Sequence, residues 1–368
     1  MYRIILILSI TLFTAPLFAD EAEDKAEFKR LYAKFNELYA NSEELDPIIE
    51  VGEKLYALAP SVYGKNSKNT ANIIYNLATL YDEKGGRNYY SRNEKKASAL
   101  YKEYFIIQKH LNIPEDKQFF ERYLQFVLAD FNAYAFEPNI SYSKKILKIA
   151  DNINLPDIEK ANLEYLIGIM RANSRQPLAA RKLLESSKSR YVNHYGEKNI
   201  SVARIYFWLG KVGMVLGNSR NAEENFIKAL DIFEVNDQLN DDLILSCHAF
   251  LVELYEKTGK TEKATFHSRA VAVERPVGFD RFITPLYRKN PEFPPKSRVK
   301  GMFASVEMEF NVDVNGFPKD IKILKSSNSM FNKTSIKSLG KSRFAPSIKD
   351  GNFIETKGVK HKYTYSIQ

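Results

Sequence analysis

The chain has 368 residues and a formal net charge of +9, with 44% hydrophobic and 27% charged residues. That composition supplies ample apolar material for a core and excludes a wholly disordered chain. The 16 glycines and 14 prolines are too few for a fold built of many turns, and the single cysteine, Cys247, excludes an intramolecular disulfide.

The charge is not spread evenly. From Arg281 to Gln368 there are 17 Lys/Arg against 7 Asp/Glu, whereas the preceding 280 residues carry 37 against 38. The tail alone holds the basic field, which predicts an anionic partner such as an acidic protein or a phospholipid head group.

At the N-terminus Arg3 precedes a mostly apolar run, Ile4–Phe18, that ends at Ala19-Asp20. This reads as a secretory signal peptide over 1–19. As a helix at about 1.5 Å per residue the run covers about 22 Å, short of the ~30 Å hydrocarbon core of a bilayer. Left uncleaved, the same segment would anchor the chain in the inner membrane. Export argues against a nucleic-acid partner.

From 20 to 275 the apolar spacing is helical. Leu31, Phe35, Leu38 and Tyr39 share one face, as do Ile73, Ile74, Leu77 and Tyr81, and Leu163, Leu166, Ile167 and Met170. Short turns such as Gly217-Asn218-Ser219 and Thr258-Gly259-Lys260 break the helices into pairs with an expected period of about 35–40 residues. Cys247 falls within one helix as a small apolar side chain. The clearest unit, Ala203–Phe233, carries Tyr206, Leu209, Gly210, Gly217, Ala222, Phe226, Ala229 and Leu230. These spacings resemble the tetratricopeptide repeat, with Gly213 standing where tyrosine is usual. The small residues are expected to let two helices approach and the large ones to fill the seam.

Arg275-Pro276-Val277-Gly278 breaks the last helix, and prolines 285, 291, 294 and 295 follow. The period then changes from 3.6 to 2. Val306, Met308, Phe310, Val312 and Val314 alternate with polar residues as one strand, Asn315-Gly316 marks a hairpin turn, and Ile321 and Ile323 point inward from a second strand. Ser329–Lys341 reads as an amphipathic helix with Phe331, Ser335, Ile336 and Leu339 inside. Val359, His361, Tyr363, Tyr365 and Ile367 alternate as a third strand. Arg343-Phe344 is expected to close the core under the helix.

Two landmarks, Asn290-Pro291-Glu292-Phe293-Pro294 and Val306–Val312 with Asn315-Gly316, open a pattern that Ile321–Ser326, Arg343-Phe344-Ala345-Pro346 and the basic last strand complete. Taken in order they resemble the C-terminal domain of TonB proteins, over about the last 80 residues; Ala304-Ser305 replaces the glycine usual before the first strand. The fold reading is therefore multidomain: an all-α, TPR-like helical solenoid over 20–275, a proline-containing linker over 276–290, and a small α+β domain over 291–368 ordered β-hairpin, helix, β.

The resemblance implies a periplasmic protein whose tail grips the TonB-box segment of an outer-membrane TonB-dependent receptor by strand addition, within energy transduction to transporters. The residues expected at that contact are Asn290 and Pro291 in the preceding segment and Lys357, Val359, Lys360, His361, Lys362, Tyr363, Thr364 and Tyr365 on the last strand. A terminal strand has an open edge, and its lysines discourage promiscuous pairing while attracting an acidic segment. The solenoid would engage a proton-motor component or another envelope protein. The alternative is a periplasmic TPR adaptor that carries the same domain without energy coupling.

Enzymatic signatures are absent from the sequence. The histidines at 110, 194, 248, 267 and 361 make no metal-ligand spacing, although His248 and His267 are placed to face each other across one helix pair. Gly259-Lys260-Thr261 lacks the earlier glycine and preceding strand of a phosphate loop, and no Gly-x-Ser-x-Gly elbow occurs. The expectation is a non-enzyme without cofactors. A hydrolase that uses the solenoid as a scaffold is the weakest alternative.

Overall fold

A computed structural model of the chain describes residues 19–86, 91–135, 138–236, 242–274, 284–294 and 303–366. The signal-peptide reading, and the part of the expected linker at 276–283, lie outside these residues. Among the described residues no helix is long and apolar enough to cross a membrane. The chain divides into two compact units, Met1–Gln176 and Pro177–Gln368.

The first unit contains α1 (Ala19–Asn41), α2 (Leu45–Tyr63), α3 (Lys68–Gly85), α4 (Arg92–His110), α5 (Lys117–Ala133), α6 (Ile140–Asn152) and α7 (Asp157–Asn173). Several starts are fixed by side-chain caps. Ser67 accepts from the Thr70 amide, Ser91 from Glu94 and Asp116 from Phe119, each satisfying an amide that the first turn leaves without a partner. Successive helices pack on one another and bury a largely aromatic seam. Tyr75, Tyr101 and Tyr104 meet ring to ring, and Phe105 lies among Phe119, Tyr123 and Phe126.

The second unit opens with α8 (Pro177–Tyr195), α9 (Ile200–Val215), α10 (Ser219–Val235), α11 (Asp242–Thr258) and α12 (Thr261–Glu274). Here α9 packs on α10, α11 on α12, and α9 also touches α11. These are the serial helix pairs of a TPR-like fold. Pairs begin at Ala19, Lys68 and Lys117 in the first unit and at Ile200 and Asp242 in the second, so within each unit their spacing is longer than the expected 35–40 residues.

Two glycines permit the tight approach of α9 and α10. A Cβ on Gly210 would lie 2.7 Å from the Phe226 ring, and one on Gly213 would lie 3.1 Å from the Ala222 amide nitrogen. The residue that departs from the tetratricopeptide pattern is thus one of those that close the seam. Gly217, expected among the packing residues, works otherwise: its φ of +72° ends α9, and open space surrounds it. Cys247 is fully buried.

The β-domain follows, with β1 (Phe303–Val312), β2 (Pro318–Ser326), a 3-10 turn at Ser329–Phe331, α13 (Asn332–Leu339), β3 (Ser347–Lys349), β4 (Asn352–Ile354) and β5 (Thr356–Ser366). The main sheet is antiparallel in the order β2-β1-β5, and β3-β4 is a separate hairpin. The strict alternation of β1 sends Ala304, Val306, Met308, Phe310 and Val312 into a core shared with Phe331, Leu339, Phe344, Tyr363 and Tyr365. Ser335 holds the helix to the sheet, its Oγ 2.6 Å from the Tyr365 hydroxyl.

Three local expectations are corrected. Val314 lies in the turn, not the strand, because the Asp313 carboxylate accepts from the amides of Asn315 (2.8 Å) and Phe317 (2.9 Å) and starts the reversal early. Ile336 is 38% exposed, because the buried face runs through Phe331, Ser335, Ser338 and Leu339 and leaves Ile336 at its flank. The β3-β4 hairpin adds an element to the expected order; it turns on Asp350 and Gly351, both at positive φ.

Arg343 also departs from its expected place. Phe344 fills the β-domain core, but Arg343 reaches to the last helix pair. Its Nη2 is 2.5 Å from Oε1 of Glu256 on α11, and its Nη1 donates to Thr265 Oγ1 on α12 (2.9 Å) and to the Asn315 carbonyl (2.7 Å). The guanidinium lies 3.4 Å from the Phe317 ring centre and is fully buried. From α12, Arg269 donates to Asn315 Oδ1 at 2.8 Å and to the Val314 carbonyl at 3.3 Å. The β1-β2 loop is therefore gripped from both sides.

Candidate functional site

β5 is the last strand of the main sheet and pairs with β1 alone. Among the described residues its other margin takes no backbone partner, and an unpaired margin of amides and carbonyls is a template for an added strand. Pairing with β1 runs from Phe303↔Ser366 to Phe310↔Val359, then slips before Val312↔Thr356. The slip is a bulge at Lys357-Gly358. Gly358 has φ +70°, and its amide donates to Asn311 Oδ1 at 3.3 Å.

The expected contact residues fall into three groups. Tyr363 and Tyr365 are core residues, with Val359 packed against that core. Lys360, Lys362 and Thr364 stand exposed on the opposite face, while Lys357 sits in the bulge, out of step with the other two lysines. His361 is half-buried and in edge contact with the Tyr363 ring. Burial, reinforced by nearby Arg288, lowers its pKa, and its Nε2 has no hydrogen-bond partner among the described residues.

Asn290 and Pro291 come to the same strand from beneath. Tyr363 donates its hydroxyl to the Lys289 carbonyl at 3.1 Å, and the Phe293 ring meets Tyr365 edge-on with centres 5.4 Å apart. The stretch before them is tied down as well, because Tyr287 and Arg343 exchange backbone bonds of 3.1 and 2.8 Å. Asn290 lines a cleft of about 470 Å³ with Leu286, Tyr287, Arg288 and Lys289, closed on the α11 side by Glu253 and Lys257. The contacts with the inner residues of β5 are thus made by Lys289 and Phe293, on either side of Asn290 and Pro291.

The outer face of the sheet carries an order that single-strand reading misses. Glu307 of β1 lies between Lys325 of β2 and Lys362 of β5, and Glu309 lies between Lys322 and Lys360. Both glutamates point away from the core, as the burial of their neighbours Val306, Met308 and Phe310 requires. The lysines could be read from the sequence, but the rows needed the strand register.

Elsewhere in the second unit, the Lys211 ammonium lies 3.9 Å from the Trp208 ring centre, with Phe207 and Phe250 at 5.7 and 5.8 Å. Burial lowers its pKa, and among the described residues no carboxylate lies at ion-pair distance. His248 and His267 do face each other, Nδ1 to Nδ1 at 2.7 Å, and burial pushes both down to about 4. They lie within the α11-α12 packing. Among the described residues no group of three His, Cys, Asp or Glu could hold a metal ion.

Comparison with known proteins adds the following. Residues 289–367 match the family described as Gram-negative bacterial TonB protein C-terminal. No curated protein matches the chain. Among solved structures, the C-terminal domain of Pseudomonas aeruginosa TonB is 24% identical, covers 25% of this chain and 92% of its own, and has a TM-score of 0.21. A Podosopora anserina kinesin light chain of nearly identical TPR-like repeats is 12% identical, covers 60% of this chain and 100% of its own, with a TM-score of 0.44. A Rap protein complexed with Competence and Sporulation Factor is 16% identical, covers 69% and 76%, with a TM-score of 0.40.

Proposed function

From the match of residues 289–367 to the TonB C-terminal family, we propose that this is a periplasmic TonB-like protein that binds partner proteins and takes part in energy transduction to outer-membrane receptors. The β-domain receives an extended receptor segment as a fourth strand beside β5. The TPR-like helices bind a second envelope protein, a proton-motor component or another member of the same assembly. Neither activity requires catalysis or a cofactor.

The observation that carries this reading is the margin of β5, unpaired among the described residues in the domain that matches the family. Main-chain bonds supply affinity in such an addition, and side-chain rows supply selectivity. The basic excess of the tail favours an acidic guest and speeds encounter.

The test is binding of a peptide from the N-terminal extended segment of an outer-membrane receptor to the full chain, followed by amide hydrogen exchange. Protection confined to β5 is expected. A chain ending at Gly358 should lose binding, with circular dichroism confirming that its helices remain. Protection of β2 instead, or equal binding by both chains, overturns the reading.

The adaptor reading rests on a specific observation. Where the resemblance implies a long proline-rich spacer, this chain has helices in series through 19–274. Receptor-dependent uptake that persists unchanged when the protein is deleted would favour the adaptor over energy transduction.

A further inference from the structure

The paired rows on the outer sheet face determine what a guest strand must carry. Lys325–Glu307–Lys362 and Lys322–Glu309–Lys360 run across the sheet as cation, anion, cation. Each row stops on a cation at the β5 margin, where the next place would belong to the guest. Residues that face each other on neighbouring strands project from the same side, and opposite charges in those positions stabilise the pairing.

We infer that the guest is an acidic segment of alternating pattern, with Asp or Glu at two positions separated by one uncharged residue, the acids beside Lys360 and Lys362. The uncharged residue falls beside His361, on the face where Val359 and Tyr363 pack into the core. Beyond Lys362 the outward residue is Thr364, and at Gly358 the bulge breaks the register. The charged part of the recognition is therefore confined to two rows. The pattern is the same for a parallel or an antiparallel guest, because both preserve the alternation of faces. This inference rests on strand addition at β5 and specifies the partner for it.

The experiment uses the full chain and two fluorescent peptides of identical composition. One carries aspartates at alternate positions of a valine- and threonine-rich segment; the other carries them side by side. Anisotropy titration at low salt should show the alternating peptide binding about five-fold tighter, the scale expected of two cross-strand charge pairs. In the Lys360→Glu/Lys362→Glu chain the preference should pass to a peptide with alternating lysines. Equal binding of the two aspartate peptides, with β5 amides still protected, overturns the acidic pattern and leaves strand addition standing. Failure of every peptide to protect β5 overturns both.

Discussion

Arg343 Nη2 and Glu256 Oε1 sit 2.5 Å apart, so a side chain from the β-domain is charge-paired with the last helix pair. Arg343 is fully buried, Glu256 nearly so, and their pairing is supported by bonds from the same guanidinium to Thr265 and Asn315. Burial itself lowers the Arg343 pKa, and the Glu256 carboxylate opposes that shift.

Truncation of one partner leaves the other charge buried alone. Arg343→Ala is expected to cost about 3–5 kcal/mol, while Arg343→Met with Glu256→Leu recovers much of the loss because both charges are gone. Urea denaturation of the three chains checks this; an Arg343→Ala chain as stable as the parent would show that the pair contributes nothing.

The two facing histidines make stability depend on pH. Their folded pKa values, held at about 4 by burial, lie below the ordinary 6.5, so the unfolded chain takes up protons first as pH falls. Their contribution is complete above pH 6.5 and is lost progressively down to about pH 4. A thermal melt series from pH 8 to pH 4.5 should show this acid limb, and His248→Gln with His267→Gln should make it shallower.

Three glycines are predicted to differ in their tolerance of alanine. At Gly217 only the positive φ is strained, for about 1 kcal/mol. At Gly210 the added methyl overpacks the Phe226 ring, for about 1–3 kcal/mol. At Gly316 a φ of +86° combines with a Cβ 2.1 Å from the Phe344 carbonyl oxygen, so about 3 kcal/mol or more is expected. Denaturation midpoints should rank the variants in that order.

The outer rows of the sheet should be measurable without any guest. Lys360→Glu places like charges opposite Glu309 and should destabilise the β-domain by about 0.5 kcal/mol, and in a Glu309→Gln background, where the opposing carboxylate is gone, the same substitution should cost nothing. The difference should shrink in high salt, where exposed charges are screened. A coupling of zero in this double-mutant cycle would mean that the rows carry no energy in the free protein.

Much of the fold could be read from residue spacing. The alternation over 304–312 gave β1, and the 3.6-residue period gave the helices, because in both cases one face must be buried. Asp350-Gly351 carried a hairpin signal as plain as Asn315-Gly316, yet the strands beside it are three residues each and show no alternation to draw attention. The alternation that sends Tyr363 and Tyr365 inward from β5 was legible as well. The Lys–Glu–Lys rows were not, since they depend on two registers and a bulge. Arg343 was misplaced for a different reason: its partner Glu256 lies 87 residues earlier, and no local pattern links the two.

The grip of Arg269 and Arg343 on the β1-β2 loop has a mechanical consequence. Tension applied to a strand lying along β5 would pass sideways into β1, then through the end of β1 into α11 and α12. A pull on the sheet is thereby a pull on the helices.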